Sequence, residues 1–78
     1  MELADRMLVD RYMPHNEELR SLIQAHAGFE RDIADLSGRT WLSDHDRQQL
    51  RVLKKQKLRG RDRIEEILRG YRVDVAQG

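Results

Sequence analysis

The chain has 78 residues, 38% hydrophobic and 37% charged, with a formal net charge of +1. This length allows one domain, and folding at this size buries only about 60 to 65% of the unfolded chain's surface, so the core is marginal. With no cysteine, disulfides, thiolate metal sites and cysteine nucleophiles are excluded.

Residues 1 to 15 hold Glu2, Asp5 and Asp10 rather than a basic start and an apolar run. No apolar stretch approaches the roughly 18 residues of a membrane span. The expectation is a soluble, unsecreted protein with no membrane partner. Residues 3 to 13 carry an irregular apolar pattern, predicting a short helix that ends at Pro14. Asn16, followed by Glu17 and Glu18, is a good N-cap for a second helix.

In that helix Leu19, Leu22, His26, Phe29, Ile33 and Leu36 step alternately by three and four, keeping one stripe on one side. The helix is predicted over 17–36 and stops at Ser37 and Gly38. Ser43 with Asp44 and Asp46 supplies the next start, a capping box in its Asp form. A third helix is predicted over 44–69 on the stripe Leu50, Leu53, Lys57, Gly60, Ile64, Ile67 and Tyr71. Gly70 is read as its cap, and 72–78 as a frayed tail.

The short connection from Gly38 to Leu42 places the two long helices side by side. The fold is therefore an all-α antiparallel helical hairpin with a coiled-coil-like seam and a short N-terminal helix, in which facing residue numbers sum to about 80. Leu22, Phe29, Ile33, Leu50 and Leu53 fall in the seam. Leu22 faces the Lys57 and Leu58 turn, and rim pairs are expected between Asp32 and Arg47 and between Glu17 and Arg63. Ile64, Ile67, Leu68 and Tyr71 project past the start of helix two. Unless helix one covers them, they form an oligomer interface, giving a homodimer or small oligomer.

Charge is segregated by half. Residues 1–46 hold ten acids and five bases, and residues 47–78 hold ten bases and four acids. Arg47, Arg51, Lys55, Arg59 and Arg63 form an i, i+4 ladder of like charge, with Lys54, Lys57 and Arg61 beside it. Each such pair destabilises an isolated helix by about 0.2 to 0.5 kcal/mol. Neutralisation by Glu17, Glu18, Glu30, Asp32 and Asp35 is the first explanation. The alternative is an anion or partner site at Arg47, Arg51, Lys54, Lys55, Arg59 and Arg63, binding an acidic protein or, sequence-independently, nucleic acid.

Several stretches carry a family likeness: Asn16 to His26 with Phe29 and Ile33, Trp41 to Asp46, and above all Leu50 to Leu58 leading to Asp62 through Leu68. Together they resemble the YdcH-like family of small bacterial proteins of unknown function, over about residues 14–69. The likeness is most specific in the run LKKxKLRxxDxIExIL after an aromatic-Leu-Ser turn. Gly60 stands where the family pattern has a larger apolar residue, and Arg61 where it has lysine. The resemblance implies a cytoplasmic helical hairpin and transfers no catalytic residue.

His15, His26 and His45 have no metal-ligand spacing, and no nucleophile triad or phosphate loop is present. No catalytic, metal or cofactor residue is expected. Trp41 is expected to cap the turn end of the core with Leu42, the alternative being an exposed binding anchor. The sequence thus reads as a non-enzymatic interaction or scaffold protein whose partner is itself or another helical protein.

Overall fold

A computed structural model describes residues 6–77, with side chains to Val73. Helix α1 spans Arg6–Tyr12, a 3-10 turn spans Met13–His15, α2 spans Glu17–Ser37 and α3 spans Asp44–Gln77. No strand occurs among the described residues. The two long helices pack side by side. The molecule measures 52 × 20 × 16 Å, its long axis matching the roughly 51 Å that 34 helical residues require.

The starts and stops follow local chemistry. Asn16 Oδ1 accepts from the Leu19 amide at 2.9 Å, satisfying one of the free N–H groups that begin α2. Asp46 accepts from the Ser43 amide at 3.2 Å while Ser43 Oγ accepts from the Asp46 amide at 3.0 Å, a reciprocal capping box. Gly38 donates to Ala34 O at 2.9 Å, but its φ of −80° is ordinary helical backbone. The stop therefore uses no left-handed glycine.

The third helix differs from expectation. It does not end at Gly70 but continues to Gln77, so residues 72–77 are helical rather than a frayed tail. Nothing but its weak propensity makes Gly70 a stop, because no positive-φ residue occurs in the described chain and the helix can run straight through. Of the predicted first helix, residues 3–5 lie outside the described residues.

The best-buried apolar cluster sits at the open end of the hairpin, away from the turn. Val9, Leu19, Ile64 and Leu68 form it, with Leu8, Tyr12, Met13, Leu22, Ile23, Ile67 and Tyr71 packed around them. Leu19 and Ile64 are 0% exposed. The seam residues Leu22, Phe29, Ile33, Leu50 and Leu53 are half-buried, as two helices alone leave a seam partly open. Leu22 packs toward this cluster rather than the Leu58 turn, and Leu58 is 53% exposed.

The register explains the difference. Observed pairs are Glu18 with Arg63, Glu30 with Lys57 and Asn16 with Tyr71, whose numbers sum to 81–87 rather than about 80. Side chains lean toward the N-terminus of their own helix. In an antiparallel pair, two side chains that touch are therefore each attached further along their helices than backbone proximity alone implies.

Leu19→Ala should cost about 2 to 5 kcal/mol and Phe29→Ala less than Leu19→Ala; urea unfolding followed by circular dichroism checks the order. Gly60 and Gly70 lie inside α3, where an added Cβ would meet nothing within 4 Å. Gly60→Ala and Gly70→Ala should each stabilise by about 0.5 to 1 kcal/mol, read as a higher thermal midpoint.

Candidate partner-binding face

At the open end, Tyr12 of α1 stacks on Tyr71 of α3 with ring centroids 3.9 Å apart and planes 6° from parallel. Asn16 Nδ2 donates to Tyr71 Oη at 2.8 Å. Helix α1 thus covers the patch that the sequence left open. Ile64 and Leu68 are buried, and Ile67 and Tyr71 are half-buried, in the chain's own core. Of the two covers open to this patch, helix one or a second copy, α1 is the one packed there.

The basic ladder does not lie on one face. A step of four residues advances about 400° at 100° per residue, so each rung drifts about 40° and the five rungs sweep about 160° around α3. Arg47 and Arg63 consequently flank opposite edges of the hairpin. Arg63 meets Glu18 through Nε to Oε2 and Nη2 to Oε1, both at 2.9 Å, and Glu66 at 3.3 Å. Lys57 approaches Glu30 at 3.8 Å on the other edge.

The expected pairs of Glu17 with Arg63 and Asp32 with Arg47 do not form. Glu17 points outward, 3.9 Å from Arg20, and Arg47 lies 3.9 Å from Asp44. The helical projection puts Asp32 on the Glu18 edge, away from Arg47. Between the two edges, Arg51, Lys54, Lys55, Arg59 and Arg61 are exposed, and none forms an ion pair with a described acid. Intramolecular neutralisation therefore reaches the ladder's flanks and leaves its middle bare.

Other candidate chemistry is not assembled. His15 and His45 are exposed and far apart in the chain, and His26 is buried. His26 Nε2 lies 2.7 Å from Glu30 Oε1, off line for a good hydrogen bond, and Nδ1 has no partner. Burial raises the Glu30 carboxyl's affinity for protons, but contact with His26 and the charges of His26 and Lys57 outweigh it and hold its pKa below the usual value. No group of three His, Cys, Asp or Glu that could hold a metal occurs among the described residues.

Trp41 is 75% exposed at the hairpin tip, so it does not cap the core. The tip is closed by polar contacts instead, with Arg39 Nη1 on Asp46 Oδ1 at 3.2 Å. The Ser43 amide, then the Ser43 hydroxyl and Arg39, hold the Asp46 carboxyl below its ordinary range against a smaller opposing effect of desolvation. No described helix is long and apolar enough to cross a membrane.

Residues 19–68 match the family described as "Protein of unknown function (DUF465)". The chain belongs to this family. The likeness to YdcH-like proteins agrees with it. No curated protein and no solved structure matches the chain. The matched stretch carries Leu19, Ile64, Leu68 and the whole basic segment, whereas α1 precedes it.

The Glu18–Arg63 pair gives a pH signature. Hydrogen bonding to Arg63 lowers the Glu18 pKa from its ordinary 4.5, against desolvation and with help from the Arg63 charge. Since the folded value is the lower one, the contribution is fully present above the unfolded value and fades as pH falls through the folded value. The thermal midpoint of wild type should exceed that of Glu18→Gln near neutral pH, with the difference closing as pH drops below about 4.

Proposed function

We propose that this protein is a non-enzymatic helical interaction module that binds an acidic protein partner through the solvent face of α3. One observation carries the reading. Arg51, Lys54, Lys55, Arg59 and Arg61 crowd two to three turns of one helix, and the acids that neutralise the ladder's edges do not reach them. Like charges at this spacing are mutually repulsive, and a docked anionic surface relieves that repulsion.

The face suits a polypeptide better than a phosphate backbone. Base-stacking aromatics are the usual companions of single-strand binding, yet Tyr12 and Tyr71 stack on each other and Trp41 stands at the tip. Asp62 and Glu66 are exposed on the same side of α3 and would repel a continuous run of phosphates. Enzymes usually work in concave sites that exclude water, and the surface here offers open grooves. The cytoplasmic setting rests on the family resemblance.

Calorimetry with poly-glutamate and with single-stranded DNA tests this reading. Wild type should bind poly-glutamate, and R51E/K55E/R59E should lose that binding while keeping its far-ultraviolet helical signal. Unchanged poly-glutamate binding by the reversed variant overturns the reading. So does DNA binding tighter than poly-glutamate binding at about 150 mM salt, which would assign the face to nucleic acid.

A further inference from the structure

Leu58 follows Lys57, one residue off the apolar stripe of α3, and is 53% exposed. It lies in an open groove along the edge where α2 meets α3, together with Ile33, Lys54, Lys57 and Arg61. Ile33 is half-buried, so the floor is two branched aliphatic side chains plus the methylene stems of the flanking cations. Lys57 is drawn toward Glu30 at 3.8 Å. Lys54 and Arg61 have no described acid and bracket Leu58 at i−4 and i+3.

That arrangement has a complement. A cation, an apolar residue and a cation at steps of four and three occupy one stripe of α3, about 10 Å long. A second helix laid along the groove would meet them with an acid, an apolar residue and an acid at the same helical steps. Helix-in-groove recognition uses such anchors one turn apart. A nucleic acid offers the charges but no aliphatic side chain for the floor.

We infer that this groove is the docking site for an acidic amphipathic helix of another protein, which seats one apolar side chain on Leu58 and Ile33 and two carboxylates on Lys54 and Arg61. A second copy of this chain does not fit. Among the described residues its other exposed large apolar side chains are Met7, Trp41, Val52 and Val73, and none lies between two acids at helical spacing. Met7 has Asp10 on one side but Arg11 beside it, and Val73 follows Arg69 and Arg72. The inference rests on the reading above that α3 receives an acidic protein, and adds where it docks and what anchors it.

The test is fluorescence anisotropy with a labelled helix-forming peptide of about 16 residues carrying Glu, Leu and Glu at the complementary spacing. Wild type should bind it, and Leu58→Ser should weaken binding about tenfold or more. Because Leu58 is largely exposed, that variant should fold normally by circular dichroism. K54E/R61E should lose the acidic peptide and gain a version with Lys in place of both Glu residues, a charge swap that misfolding cannot mimic.

Binding to Leu58→Ser equal to wild type overturns the groove. If R51E/K55E/R59E is then the only variant that weakens the peptide, the wider basic-face reading survives without the groove. If wild type binds neither this peptide nor poly-glutamate, both fall.

Discussion

Two antiparallel helices can bury a stripe but cannot enclose a side chain on all sides, and this constraint organises the molecule. Leu19 is fully buried because the open end of the hairpin has a third element. Helix α1 lays Val9 over Leu19, Ile64 and Leu68, and the chain then turns through Pro14 to Asn16. Asn16 has two jobs there, capping α2 through Oδ1 and holding Tyr71 of α3 through Nδ2. Fixing the start of α2 against α3 sets the register of the hairpin, from the Glu18–Arg63 pair to the Glu30–Lys57 pair. A domain this small has stability of only about 5 to 15 kcal/mol at most, so one truncation in the knot is a large fraction of the whole.

What the sequence disclosed were the features decided locally. The Asn16 cap, the Ser43 and Asp46 box and the starts of both long helices depend on groups within a few residues, and each stands where the pattern put it. What it concealed depended on partners far along the chain. Gly70 looked like a stop, but a glycine terminates a helix only when something favours leaving it. Trp41 looked like a lid, but the Ser43, Asp46 and Arg39 contacts had already closed the tip. The patch of Ile64, Ile67, Leu68 and Tyr71 was correctly seen as needing cover. Its occupant was left open between helix one and a second copy because the apolar pattern before Pro14 is short and irregular.

The candidate site was half legible for a similar reason. Counting cations along α3 identified the basic segment, while counting alone treats an i, i+4 ladder as a straight row. Its drift around the helix carries the ends to opposite edges, where Arg63 meets Glu18 of α2 and Arg47 stays with Asp44 of its own helix, and leaves the middle facing water. Neither expected rim pair forms, because Glu17 projects outward from α2 and Asp32 lies on the edge away from Arg47. Leu58 was set opposite Leu22 by the sum rule, whereas the helical projection turns it away from Leu53 and Ile64 toward water.

The exposure of Trp41 also decides what can be seen of this protein in solution. It is the chain's single tryptophan, and it stands in water at the tip, far from the cluster that holds the fold together. Its emission therefore reports the hairpin turn and changes little when the core melts. The stacked rings of Tyr12 and Tyr71 lie at the opposite end, between α1 and α3. Their near-ultraviolet signal follows the departure of α1, so the two ends of one small molecule carry separate optical labels.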